Sequence, residues 1–196
     1  MKLKNKDEVK SCLTELLLQT KREGIEDLVA YMDEIGFWDA PASSCFHESF
    51  PGGLAAHTAK VYNVAIATAK ALDKEGLLKN VPTDSLVLTT ILHDLGECGQ
   101  FGMPLYKENF LKDGKQSEAK PYQTNKDLRT LPHEVVSVIE ATKFIDLTAE
   151  EQQAIAWHNG LYTNSFKYDI PGNEFPLYLI LHFADMWASR FMKEDN

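Results

Sequence analysis

Apolar residues recur at intervals of three and four along most of this 196-residue chain, and glycines stand where the runs stop. That period predicts helices that each bury one stripe. Residues 6–22 place Val9, Leu13, Leu16 and Leu17 on a stripe, and Gly24 stops the run. Residues 25–35 repeat the pattern with Ile25, Leu28, Val29, Met32 and Ile35, ending at Gly36. Further helices are predicted over 54–75, closed by Gly76, over 83–95, closed near Gly96, and over 133–145, 148–159 and 175–192. Thr83, Asp84 and Ser85 are capping candidates for the fourth of these. Thr148 with Glu151 three residues on has the pattern of a capping box. Two stretches lack the period. The segment 37–53 is a loop holding Pro41, Pro51, Gly52 and Gly53, and 96–131 is rich in glycine and proline. Within the latter, Asp113-Gly114 predicts a small hairpin. No repeat or low-complexity linker divides the chain. The expectation is one all-α domain over 1–196, with N-terminal helices in 1–36, a core in 40–192 and a hairpin insertion at about 99–131.

Composition removes several classes. Apolar residues make up 44% and aromatics 10%, enough for a core and against disorder. A chain of this length buries roughly 70% of its unfolded surface, so no staples are needed. Cys12, Cys45 and Cys98 are odd in number, widely spaced and free of any CxxC pair. That argues against a disulfide framework and a thiolate zinc site. No apolar run reaches the roughly 18 residues of a membrane span, and Met1 to Lys10 lacks a signal peptide's apolar stretch. A reducing, cytoplasmic setting without membrane association is expected. The formal charge of −9 argues against a generic nucleic-acid coat, which would need a basic surface.

The chemistry lies in imidazoles and carboxylates placed at helix ends or on apolar faces. His57 shares a helical face with Leu54, Val61 and Val64. His93-Asp94 stands at a helix end, His133 opens one helix and His158 closes another. Asp185 interrupts the apolar run Ile180-Leu181-His182-Phe183-Ala184-Asp185-Met186-Trp187. A carboxylate there is costly unless it is paired or holds a cation. Neutral imidazole with carboxylate is the donor set for divalent ions such as Mn, Fe, Co, Ni, Zn or Mg.

In this order, His57, His93-Asp94, His133, His158 and Asp185 resemble the HD-domain metal-dependent phosphohydrolase superfamily. Gly52-Gly53-Leu54-Ala55-Ala56-His57-Thr58 is similar to the GGLxxHT segment of many members, and Ile91-Leu92-His93-Asp94-Leu95-Gly96 to their HD signature. Leu131-Pro132-His133-Glu134, Ala154-Ile155-Ala156-Trp157-His158-Asn159-Gly160 and His182-Phe183-Ala184-Asp185 complete the series over about residues 40–190. The resemblance implies a helical domain with a buried metal centre that hydrolyses phosphate esters. It implies one metal held by His57, His93, Asp94 and Asp185. Asp94 would bridge to a second metal on His133 and His158, unless those two hold substrate phosphate instead. Many two-metal members carry Lys three residues after the HD aspartate, where this chain has Glu97. Some single-metal nucleotidase and alarmone-hydrolase members instead have Glu there as a proposed acid/base. Glu97 therefore joins Asp94 as a catalytic candidate and points to a nucleotide hydrolase, away from cyclic-dinucleotide phosphodiesterases. Their GYP-type signature is also missing.

The expected substrate is a nucleotide or small phosphorylated metabolite, attacked by metal-activated hydroxide. Extended nucleic acid is the less favoured partner, and a homodimer is plausible by family habit alone. The alternatives are a 3′-to-5′ exoribonuclease-like phosphodiesterase and a catalytically inactive nucleotide-sensing module. His47, before the Gly52-Gly53 turn, is read either as a substrate contact or as loop packing. Glu134 reads as a helix-dipole complement, His182 as a core histidine near the ligands, Cys98 as a buried or loop thiol, and Trp157 and Trp187 as core or pocket wall. Residues 104–131 carry six basic side chains (Lys107, Lys112, Lys115, Lys120, Lys126, Arg129) against four acidic ones. They form either a solvated hairpin or a lid over an anionic substrate, with Lys107 the candidate phosphate contact.

Overall fold

The computed structural model describes residues 5–128, 131–163 and 168–192. Seven α-helices make up most of it: α1 (Lys6–Gln19), α2 (Ile25–Glu34), α3 (Gly53–Lys74), α4 (Thr83–Leu92), α5 (His133–Ala141), α6 (Ala149–Trp157) and α7 (Pro176–Phe191). One antiparallel pair, β1 (Tyr106–Glu108) and β2 (Tyr122–Thr124), and two short 3-10 turns, Leu95–Cys98 and Gly160–Tyr162, complete the described elements. The all-α expectation therefore holds at the level of class. The predicted hairpin is present too. Phe110 bridges Gln116 beyond the sheet, and the chain reverses through Asp113-Gly114, where Leu111 and Lys115 exchange a backbone bond.

The helix ends follow the glycines, with two corrections. α2 and α3 both close with paired backbone bonds around a left-handed glycine. Gly36 N–H reaches Asp33 O and Phe37 N–H reaches Met32 O; Gly76 and Leu77 repeat this on Asp73 and Leu72. This is the Schellman arrangement, which satisfies the last carbonyls. Gly24, by contrast, does not stop α1. The helix ends at Gln19, where the Thr20 hydroxyl takes the Leu17 carbonyl, and Gly24 is the N-cap of α2. The capping candidates of α4 are likewise spent elsewhere. Pro82 is the N-cap, its backbone already extended, and Ser85 and Asp84 reach tertiary partners. The capping box of α6 forms as predicted between Thr148 and Glu151.

Those tertiary partners tie α4 and α6 to the link between α1 and α2. Arg22, between α1 and α2, donates to both oxygens of Glu151 at 2.8 and 3.0 Å and reaches Asp84 at 3.2 Å. Glu151 is fully buried, and also accepts from Ser85 and the Thr148 backbone. Burial pushes its carboxyl up, but these donors, Arg22 foremost, win and hold it below its ordinary range. Arg22→Ala should therefore destabilise the fold by about 3 kcal/mol at neutral pH. A carboxyl with a lowered folded pKa gives its stability above the unfolded value, near 4.3, and loses it as pH falls through the folded value. Denaturant melts of wild type and variant should thus differ most above about pH 5 and converge in acid.

Two apolar clusters fill the interior. The first gathers α1, α2, α4 and the start of α3, with Leu13, Leu17, Leu28, Phe37, Leu88 and Leu92 at its centre. The second gathers Val61, Ala65 and Ala69 of α3 with Ala154 and the inner face of α7. α3 and α7 make the most extensive helix contact. Alanines and small residues on α3 permit that close packing. His57 lies on α3 among Leu54, Ala55 and Ala59, which serve the first cluster. Among the described residues no helix is long and apolar enough to cross a membrane.

Candidate metal centre

Five structural elements deliver side chains to one buried point. α3 brings His57. α4 ends at Leu92, with His93 as its C-cap, and Asp94 begins a tight 3-10 turn over Leu95–Cys98. His133 is the first residue of α5, His158 is the C-cap of α6, and Asp185 comes from α7. Placement at helix ends lets short segments converge without breaking a hydrogen-bond ladder.

Asp94 is the hub. Its Oδ2 lies 3.2 Å from His93 Nε2 and 3.6 Å from His57 Nε2. Its Oδ1 lies 3.2 Å from His158 Nε2 and 3.3 Å from His133 Nε2. Asp185 Oδ1 stands 3.1 Å from His57 Nε2. His57 and His93 are fully buried, His158 nearly so, and Asp94 is 6% exposed. Two groups of three ligand atoms result, each within 4.8 Å: His57, His93 and Asp94, and Asp94, His133 and His158. These buried groups could hold a metal ion.

The proton positions make the case physically. His93 Nδ1 donates to the Thr90 carbonyl at 2.9 Å, and His158 Nδ1 to the Ile155 carbonyl at 2.7 Å. His133 Nδ1 faces two carboxylates, Glu97 at 3.2 Å and Glu134 at 3.4 Å. With Nδ1 carrying the proton, each neutral ring turns a lone pair at Nε2 toward Asp94. His93 Nε2 and both nitrogens of His57 have no hydrogen-bond partner although buried. Acceptors thus face acceptors, an arrangement that calls for positive charge in their midst.

Without an ion, protons supply part of that charge. Burial opposes charge on His133, but Glu97 and Asp94 overcome it and raise its imidazole to about 10. Burial would raise Asp94, yet His93, His133 and His158 hold it well below the carboxylate range. Asp185 is lowered to about 2 against its own burial, chiefly by His57. Glu97 goes the other way, because burial dominates.

Several sequence expectations receive a definite place. His47 does reach the site, its ring 4.8 Å from that of His57. His182 is a supporting histidine, donating from Nδ1 to the His158 carbonyl at 2.7 Å and stacking on Tyr178. Cys98 is buried, and burial pushes its thiol well up. Trp157 packs edge-on against Tyr178 beside the second cluster. Trp187 is neither core nor pocket wall. It is 42% exposed in a ladder with Phe183 and Phe191 on the outer side of α7. Glu134 is buried and approaches His133, so it does more than complement a dipole. Lys107 is not brought to the site; it pairs with Asp127 at 2.8 Å on the surface. The other described lysines of the hairpin, Lys112, Lys115, Lys120 and Lys126, are exposed, and Arg129 lies outside the described residues.

Three contributors had gone unnoticed. Asn159 brings its side-chain amide within 3.1 Å of His133 Nε2. Tyr106 of β1 lies against Glu97 and favours its ionised form. Glu48 is buried and carries a left-handed φ of 41°. Its Oε2 meets His47 Nδ1 at 2.9 Å and its Oε1 meets Lys60 Nζ at 2.6 Å, so both oxygens are engaged and His47 is fixed. Gly53 makes this possible, since a Cβ there would stand 1.9 Å from the Glu48 carbonyl. A charged residue following His47 by one was the available signal, but only the fold shows that Lys60 completes it.

No protein-family model, curated protein or solved structure matches this chain.

Proposed function

We propose that this chain is a metal-dependent phosphohydrolase of the HD type, binding two divalent ions and hydrolysing a phosphate ester of a nucleotide or small phosphorylated metabolite. The observation that carries this reading is the sharing of Asp94, with one oxygen turned to His57 and His93 and the other to His133 and His158. A single carboxylate between two sets of imidazole lone pairs suits a two-metal phosphoesterase centre. Bound there, the ions would lower the pKa of a coordinated water to about 7 and offset phosphate charge.

The protein's own residues do the remaining work. The Thr90 and Ile155 carbonyls lock the tautomers of His93 and His158, which keeps Nε2 available. His182 braces the backbone at His158, and Asp185, with Oδ1 3.1 Å from Nε2 of His57, would share an ion with His57, His93 and Asp94. Glu97 is buried beside His133 and also faces a cavity, so it is placed to pass a proton to a departing oxygen.

Purified protein supplied with Mn²⁺ should release inorganic phosphate from nucleoside monophosphates or generic monoesters, and a chelator should stop it. Metal binding without turnover across mono- and diesters would replace the enzyme with a sensing module. Turnover confined to diesters would favour the exoribonuclease-like alternative.

A further inference from the structure

The hairpin roofs a cavity of about 240 Å³ that opens beside the cluster. Glu97, Tyr106, Thr124, Leu128, His133 and Val136 are among its lining residues. Pockets for whole drug-sized ligands start at about 300 Å³, so this one suits part of a ligand. It shares Glu97 and His133 with the metal cluster, and a group lying in it would sit next to the proposed reaction centre.

The lining chemistry is selective. Tyr106 and Thr124 are directly paired across the sheet, so their side chains share the face toward the cavity. Lys107 and Gln123, one position along, take the opposite face, and Lys107 is held by Asp127. Among the described residues the cavity lining has no Lys or Arg, and its one carboxylate is Glu97, beside His133. Glu97 Oε1 faces His133, whereas Oε2 is buried without a hydrogen-bond partner. A hydroxyl or N–H donor would satisfy that oxygen. A second phosphate would meet that carboxylate with no Lys or Arg in the described lining to draw it in.

The geometry points to this cavity as the seat of the alcohol half of the ester, a compact neutral group that presents a donor to Glu97. The inference rests on the phosphohydrolase reading and narrows it: the substrates are monoesters of neutral alcohols, sugar-like or nucleoside-like, and esters whose leaving half carries another phosphate are disfavoured. In the reaction, water adds to phosphorus and the ester P–O bond breaks. The freed oxygen leaves into the cavity as the alcohol, taking one of the water's protons by way of Glu97. Tyr106, Thr124 and Leu128 set which alcohol fits.

The test uses metal-loaded full-length protein and a panel of glycerol, ribose and nucleoside monophosphates, with methyl phosphate and a nucleoside 3′,5′-bisphosphate beside them. The best neutral monoester should exceed its bisphosphate counterpart at least tenfold in kcat/KM. Thr124→Trp, which fills the cavity from its solvent edge, should lower the ratio of that monoester to methyl phosphate at least tenfold. Tyr106→Phe should lower the same ratio with no change in metal content. An unchanged ratio in both variants, or preference for the bisphosphate, overturns the inference while leaving the phosphohydrolase reading intact. If wild type turns over no ester, that reading fails. Calorimetric titration with the free alcohols then decides the cavity alone: binding lost in Thr124→Trp supports it, and binding equal in both proteins, or none to wild type, overturns it.

Discussion

Replacing Asp94 by Asn should reduce phosphate release by about 10³-fold or more, the largest activity effect expected of any single substitution here. Asp94 touches both halves of the cluster, so its loss disables both at once. Metal ions contribute several kcal/mol of transition-state stabilisation, and each 1.36 kcal/mol is tenfold in rate. The same substitution should act differently on stability. Without metal, the carboxylate faces Nε2 of His93 and His158 and a protonated His133. An amide cannot keep that charge pair, so the metal-free variant should melt a few degrees below metal-free wild type. Metal at about a hundred times its Kd adds about 2.7 kcal/mol to a protein that binds it only when folded. For a chain of this size that is about 5–10 °C in Tm. Wild type should show that gain, and Asp94→Asn should lose most of it. A variant that melts far below metal-free wild type would mean that Asp94 is structural rather than a ligand.

Gly96→Ala should cost about 3 kcal/mol, roughly 6–12 °C in Tm, with a large loss of activity. Gly96 lies in the turn that follows Asp94, where its N–H bonds Ser137 Oγ at 2.8 Å. A Cβ at this position would stand 2.2 Å from the His133 carbonyl oxygen and 2.9 Å from Val136 Cβ. Backbone meets backbone there, so α5 must move rather than a side chain swing aside. His133 opens that helix and would leave both Asp94 and Glu97. Thermal melts and metal titration together check this. Normal stability in Gly96→Ala would show that the turn and α5 are not as closely packed as described.

The helices were legible because period and punctuation agree. Gly36 and Gly76 mark helix ends correctly since a left-handed residue is needed there. Gly24 misled because it starts a helix instead. Asp84 and Ser85 misled because long-range partners, Arg22 and Glu151, take their side chains, and Thr83 because the helix starts at it, after Pro82. The site shows the same division. His57, His93, Asp94, His133, His158 and Asp185 could be picked out as polar groups at helix ends and on apolar faces, and they do converge. Glu48, Lys60, Asn159 and Tyr106 could not, because nothing in their neighbours in sequence says what they touch. Lys107 shows the limit from the other side. A positive segment near a site is visible in sequence, but a one-residue shift along a strand decides whether a side chain faces inward, and here Tyr106 does.

The most direct test is elemental analysis of fully reconstituted protein, counting divalent ions per chain. The account predicts two, one on His57, His93, Asp94 and Asp185 and one on Asp94, His133 and His158. One ion per chain would contradict the bridging role of Asp94, and none would remove the metal centre altogether.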